Sequence, residues 1–219
     1  LRAKCKLTDA SDEFGLYALA GPTAAVKLKG TAQWQVRARG AATLIRVPDA
    51  AGVQRAWLIV AAGAESDVPL AEAMTPEAWR WLEVESGIVT IEAATVDRFV
   101  PQMVNFEIVG GVDFQKGCYP GQEVVARSQY RGTTKRRTLL FDCGAVPAAG
   151  QDVYASGSPN EPAGTVANAA PHPHRGGSAL VEVRLAAASD DLRLGAPDGP
   201  ALTRRELPYS VPLDTAVAS

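Results

Sequence analysis

The sequence predicts an α+β fold that ends in a small antiparallel β-barrel. Two observations carry this. Up to about residue 134, candidate strands alternate with candidate helices. After Lys135, short apolar runs recur as Thr138–Phe141, Asp152–Ala155, Gly164–Asn168, Ala179–Leu185 and Ala201–Leu207, separated by stretches rich in Gly, Pro, Ser and Asp. Short strands at that spacing read as an all-β module, closed into a barrel. The boundary falls near residues 134–138, giving an α+β domain over 1–136 and a barrel over 137–219.

The first elements read as a hairpin. Residues 1–7 place Leu1, Ala3, Cys5 and Leu7 on one face, and 14–20 place Phe14, Leu16, Ala18 and Ala20 on one face of a return strand. Asp9-Ala10-Ser11-Asp12 supplies polar turn residues between them. A chain that starts inside a sheet leads us to expect an earlier part of the domain before Leu1. Gly21-Pro22 ends the hairpin, and 22–29 reads as a short helix. Ala42–Val47 and Ala56–Ala62 read as strands, with a loop over 63–72. Thr75-Pro76-Glu77 starts a helix: threonine caps, proline takes the first helical position and glutamate meets the positive end. Trp79, Leu82 and Ser86 share one face, Trp81 and Glu85 another, and Gly87 ends the helix. Gly110-Gly111 turns the chain, and 121–129 reads as a further helix ending at Gly132. Within the barrel module, Ala179, Val181, Val183 and Leu185 alternate with Leu180, Glu182 and Arg184.

Composition narrows the function classes. Of 219 residues, 47% are hydrophobic and 21% charged, and the formal net charge is -2. That is an ordinary globular balance with no overall attraction to nucleic acid. No run of 18 apolar residues is present, so no helical membrane span is expected. The three cysteines, Cys5, Cys118 and Cys143, form no CxxC pair. Reduced thiols in a cytoplasmic location fit that usage. Cys5 is expected to face the sheet core and Cys143 to end a strand. Neither a P-loop nor a dinucleotide-binding fingerprint is present. His172 and His174 form an HxH pair without a visible third ligand, so no metal site is expected.

The most informative stretch is Asp113-Phe-Gln-Lys-Gly-Cys-Tyr-Pro-Gly-Gln-Glu. Cys118 lies just before a helix start, where unpaired backbone N–H groups favour negative charge. Lys116 and Arg127 are cations that would favour a thiolate if folded close to it. The alternative is a buried, inert cysteine in a Gly-Pro turn. Gln122 fits turn hydrogen bonding or recognition of a ligand amide, and Tyr119 fits either core cover or a ligand ring. Glu123 reads as a solvated capping residue. Arg127, Arg131, Lys135, Arg136 and Arg137 form the main basic concentration, suited to phosphate, a polycarboxylate tail, RNA or simply solvent. Asp97, Glu107 and Asp113 are possible acids without an evident partner.

The segment from Lys116 to Glu123, KGCYPGQE, closely resembles the YgfZ family of folate-binding proteins, relatives of the glycine-cleavage T-protein (aminomethyltransferase). The resemblance extends upstream through Phe99-Val100-Pro101-Gln102-Met103-Val104-Asn105 and Gly110-Gly111-Val112, and downstream through Val125-Ala126-Arg127. It implies a T-protein-like folate-binding domain, here lacking its N-terminal part, followed by the barrel. It implies tetrahydrofolate or a folate derivative as cofactor, and iron–sulfur proteins or their assembly factors as partners. The function implied is a folate-dependent accessory role in iron–sulfur protein maturation or repair, with tRNA modification supported indirectly. Cys118, with Lys116, would be the reactive thiol or transient ligand. Glu85, in Glu85-Ser86-Gly87, resembles the glutamate that contacts the pterin in the aminomethyltransferases. Tyr119, Gln122 and Arg136 or Arg137 would complete the folate site. Two other functions stay open: one-carbon transfer to or from tetrahydrofolate, and a noncatalytic folate-sensing scaffold. KGCYPGQE is unlike the aminomethyltransferase counterpart, which counts against glycine-cleavage chemistry.

Overall fold

A computed structural model describes residues 4–64, 74–130 and 134–212. Packing divides the chain into two compact units, Leu1–Met74 and Thr75–Ser219. The first contains an open four-stranded antiparallel sheet and the second a closed six-stranded antiparallel barrel. The stretch between Thr75 and the barrel's first strand therefore groups by packing with the barrel.

In the first unit β1 (Phe14–Ala20) is followed by helix α1 (Pro22–Leu28). Strands β2 (Val36–Arg39), β3 (Ala42–Ala50) and β4 (Val53–Ala61) complete the sheet in the order β1-β4-β3-β2. Alternation along β3 and β4 turns Ala42, Leu44, Ala56, Leu58 and Val60 to one face, where they pack with Ala24 and Leu28 of α1.

The expected hairpin between 1–7 and 14–20 is corrected. Residues 4–7 form no strand, and β1 pairs with β4, from Phe14 opposite Ala61 to Ala20 opposite Arg55. A two-residue period makes a segment fit to be a strand without choosing its neighbour. Here the seven-residue register with β4 wins over a local turn. Cys5, expected in the sheet core, is exposed, and Leu7 with it. Leu1, Ala3 and most of the 63–72 loop lie outside the described residues.

The second unit opens with α2 (Pro76–Glu85). The Thr75 hydroxyl accepts from the Ala78 N–H at 3.2 Å, and Pro76 takes the first turn, as its sequence predicts. Leu82, Val84 and Glu85 are buried on it. Gly87 then turns the chain with φ +72°. Two 3-10 turns follow, Ala93–Thr95 and Pro101–Val104. Asn105 ends the second in the left-handed region, a conformation that asparagine tolerates. Helix α3 (Gln122–Tyr130) leads to the barrel. The expected helix stop at Gly132 lies outside the described residues.

The barrel comprises β5 (Arg136–Cys143), β6 (Asp152–Ala155), β7 (Ser158–Pro171), β8 (Gly177–Arg184), β9 (Leu192–Leu194) and β10 (Ala201–Arg205), closed in the order β10-β5-β8-β7-β6-β9. β8 explains why two layers form around it, because all but its last residue are buried. Ala179, Val181 and Val183 point into the barrel with Leu139, Phe141, Val153 and Val166. Leu180, on the other face, joins Val84, Val89, Val104 and Leu140 in an outer cluster beneath Trp81 and Phe99. The polar residues of that outer face are partnered. Ser178 accepts from the Trp81 indole N–H at 3.2 Å, and Glu182 pairs with Arg136.

No helix among the described residues is long and apolar enough to cross a membrane.

Candidate functional site

Cys118 is exposed, in the turn that enters α3. Gln122, the first residue of the helix, reaches back: its Oε1 accepts from the Tyr119 N–H at 3.1 Å, and its own N–H donates to the Tyr119 carbonyl at 3.3 Å. The side chain thus closes the turn, the turn hydrogen bonding that its sequence suggests. Gly121 holds φ +81°, which lets the backbone reverse in that space. Lys116 places its ammonium 4.8 Å from the centre of the Tyr119 ring, a cation–π contact on the same turn. Glu123 and Arg127 are exposed. Cys118, Lys116, Tyr119 and Gln122 therefore share one small surface feature. Arg131 of the basic run lies outside the described residues.

The other predicted site residues are engaged elsewhere in the same unit. Glu85 is buried at the end of α2, and its Oε1 accepts from Arg205 Nη1 at 2.8 Å. Arg205 also bonds Asp142 Oδ1 at 3.2 Å, and Asp142 holds Ser178 and Arg175. Burial pulls the Arg205 pKa down, but the two carboxylates outweigh it and hold it above its ordinary value. Arg136 grips the buried Glu182 with two nitrogens, and that bond raises the guanidinium pKa. Arg137 is buried beside Arg136 but faces the other way along the pleat. It pairs with Glu107, and its Nη1 donates to the Gln102 carbonyl at 2.8 Å.

Around Arg137 lies a polar cluster. Asn105 Nδ2 donates to the Thr138 carbonyl at 2.8 Å and contacts the Tyr209 hydroxyl at 3.3 Å. The Tyr209 hydroxyl donates to the Gly87 carbonyl at 2.6 Å, and burial pushes its pKa up. Gln102 Oε1, Asn105 Oδ1, Glu107 Oε2 and Arg137 Nε are buried without a hydrogen-bond partner.

No family model matches this chain. What the described residues can do chemically therefore rests on their geometry. A groove of about 660 Å3 is lined by Leu139, Arg204, Arg205, Leu207 and Tyr209 among others. Its volume lies in the range of small-molecule sites. None of the predicted site residues lines it directly, although Glu85 reaches its wall through Arg205. Among the described residues no group of three or more His, Cys, Asp or Glu side chains could hold a metal ion. His172 and His174 contact each other edge to face at 5.8 Å, and His172 stands on Trp81 at 5.3 Å.

Sequence reasoning missed Arg205, Asp142 and Tyr209 as partners. Arg205 and Tyr209 meet their partners across 60 residues or more of chain, and Asp142 meets Ser178 and Arg175 across more than 30, so no local spacing marks them. Glu107 drew attention as an acid without a partner; that partner is Arg137, 30 residues on. Gln102 and Asn105 stood out only as part of the resemblance, with no role of their own.

Proposed function

We propose that this chain is a folate-dependent accessory protein in iron–sulfur protein maturation or repair, with Cys118 as its reactive thiol or transient ligand. Its partners in this reading are iron–sulfur proteins or their assembly factors, and any effect on tRNA modification is indirect. It works in a reducing, cytoplasmic setting. The observation that carries the reading is the exposed Cys118, held in a turn that Gln122 closes and Lys116 flanks, within the very segment that resembles the folate-binding family.

Tetrahydrofolate is the cofactor of this proposal, and the residues present fit it. The groove at the end of β10 offers about 660 Å3. Arg204 and Arg205 on its wall suit the carboxylates of a folate tail, and Leu139, Leu207 and the Tyr209 ring suit a flat ring. Glu85, which resembles the pterin-contacting glutamate, holds Arg205 in place there and acts on the ligand through it. Arg136 and Arg137, spent on Glu182 and Glu107, act on the ligand through the strand they stiffen.

Equilibrium titration of tetrahydrofolate tests the reading. Arg205→Met should weaken binding about tenfold or more, the scale of one charged hydrogen bond, and Cys118→Ala should leave it unchanged. Equal affinity in Arg205→Met, or no binding by the natural chain, contradicts the proposed site.

A further inference from the structure

Gln102 is fully buried, in the 3-10 turn Pro101–Val104. Its Nε2 donates to the carbonyl of Val125 at 2.8 Å. Val125 is the fourth residue of α3. The Gln102 main-chain carbonyl accepts from Arg137, which Glu107 holds in turn. The direction of the amide is forced. Turned over, it would set Oε1 against the Val125 carbonyl, two acceptors facing each other. In the direction it takes, Oε1 is left buried without a partner.

That arrangement is poor for stability and good for placement. A buried amide acceptor without a partner costs about 1–3 kcal/mol, and an apolar side chain of the same volume would avoid the cost. Local rules are broken in this way where a site needs it. Among its described side chains, α3 has little else to hold it. Val125 is its one buried residue among those whose side chains are described, and Val124 is 52% exposed with Glu123 and Arg127 also exposed. The start of the same helix carries the Gln122–Tyr119 pair, and Cys118 is the next residue back.

We propose that Gln102 is a positioning residue for Cys118: by holding the Val125 carbonyl it fixes α3 on the packed body of the unit, and with it the turn that presents the thiol. This rests on the reading of Cys118 as a working thiol. Gln102→Met keeps the volume and removes the donor. Gln102→Glu keeps the shape, and donates only while its carboxyl is protonated.

Hydrogen exchange and alkylation of Cys118, both resolved by residue in the full chain, test the proposal. In Gln102→Met, amides of residues 125–127 should lose protection about tenfold, those of β5 and β8 should keep it, and Cys118 should change its alkylation rate at least about threefold with an altered pH profile. In Gln102→Glu the loss of α3 protection should shrink as the pH falls, once exchange is corrected for its intrinsic pH dependence. A purely steric role gives no such rescue. Unchanged α3 protection overturns the proposal. So does loss of protection in α3, β5 and β8 together, and so does a loosened α3 that leaves the rate and profile of a reactive Cys118 as they were. If α3 loosens while Cys118 is inert in both proteins, the attachment stands and the thiol reading of the previous section is what fails.

Discussion

Replacing Gly164 with alanine should destabilise the barrel by about 3 kcal/mol or more. Gly164 sits in β7 between two partners, opposite Val153 of β6 and Val183 of β8. A Cβ there would stand 2.4 Å from the Glu182 carbonyl oxygen and 3.2 Å from the Val183 Cα. Both are main-chain atoms, so no side chain can swing away. β8 cannot retreat either, since it pairs with β5 on its other edge and is buried on both faces. Any shift also disturbs Glu182, whose carboxylate holds Arg136. Urea denaturation checks this: the midpoint should fall with the slope unchanged. A change within about 0.5 kcal/mol, the usual range for a harmless surface substitution, would contradict the packing described.

The second large effect is expected at Arg137. Arg137→Met removes one member of a buried pair and leaves the Glu107 carboxylate, 12% exposed, without its counter-charge. Breaking a buried pair in this way costs about 3–5 kcal/mol. The Gln102 carbonyl loses its donor as well. The double variant Arg137→Met/Glu107→Met should recover much of the loss, because no unpaired charge then remains. Thermal unfolding of both variants and of Glu107→Met alone closes the cycle. A double variant as unstable as the sum of the singles would show that the two residues act independently, against the geometry seen here.

These two sites illustrate what could be read from residues alone. Thr75-Pro76 and Gly87 mark both ends of α2, because capping chemistry is local and each of these residues has one physical use there. The alternation over 179–185 identifies β8 for the same reason. β2 (Val36–Arg39) and β9 (Leu192–Leu194) escape notice: one carries two arginines in four residues, the other is three residues long. Pairing is not local. The partner of β1 is β4, some forty residues on, and nothing in Phe14–Ala20 names it. The candidate site divides along the same line. The turn of Lys116, Cys118, Tyr119 and Gln122 is legible because its bonds span three residues or fewer. Arg136 and Arg137 stand out in a basic run and Glu85 only through the resemblance, but their partners Glu182, Glu107 and Arg205 are set by the closed barrel and the turns packed on it.

The claim at the centre of this account is that the Cys118 thiol belongs to a ligand-linked site. Alkylation of the intact chain, followed against pH with and without tetrahydrofolate and read cysteine by cysteine, tests it most directly. The account predicts that Cys118 reacts faster than the other two cysteines, and that tetrahydrofolate changes its rate. The buried Cys143 should lag, and the rate of the exposed Cys5 should not respond to folate. A Cys118 that stays inert with and without folate while Cys5 reacts would contradict the account, and would leave the segment from Asp113 to Glu123 as a structural turn.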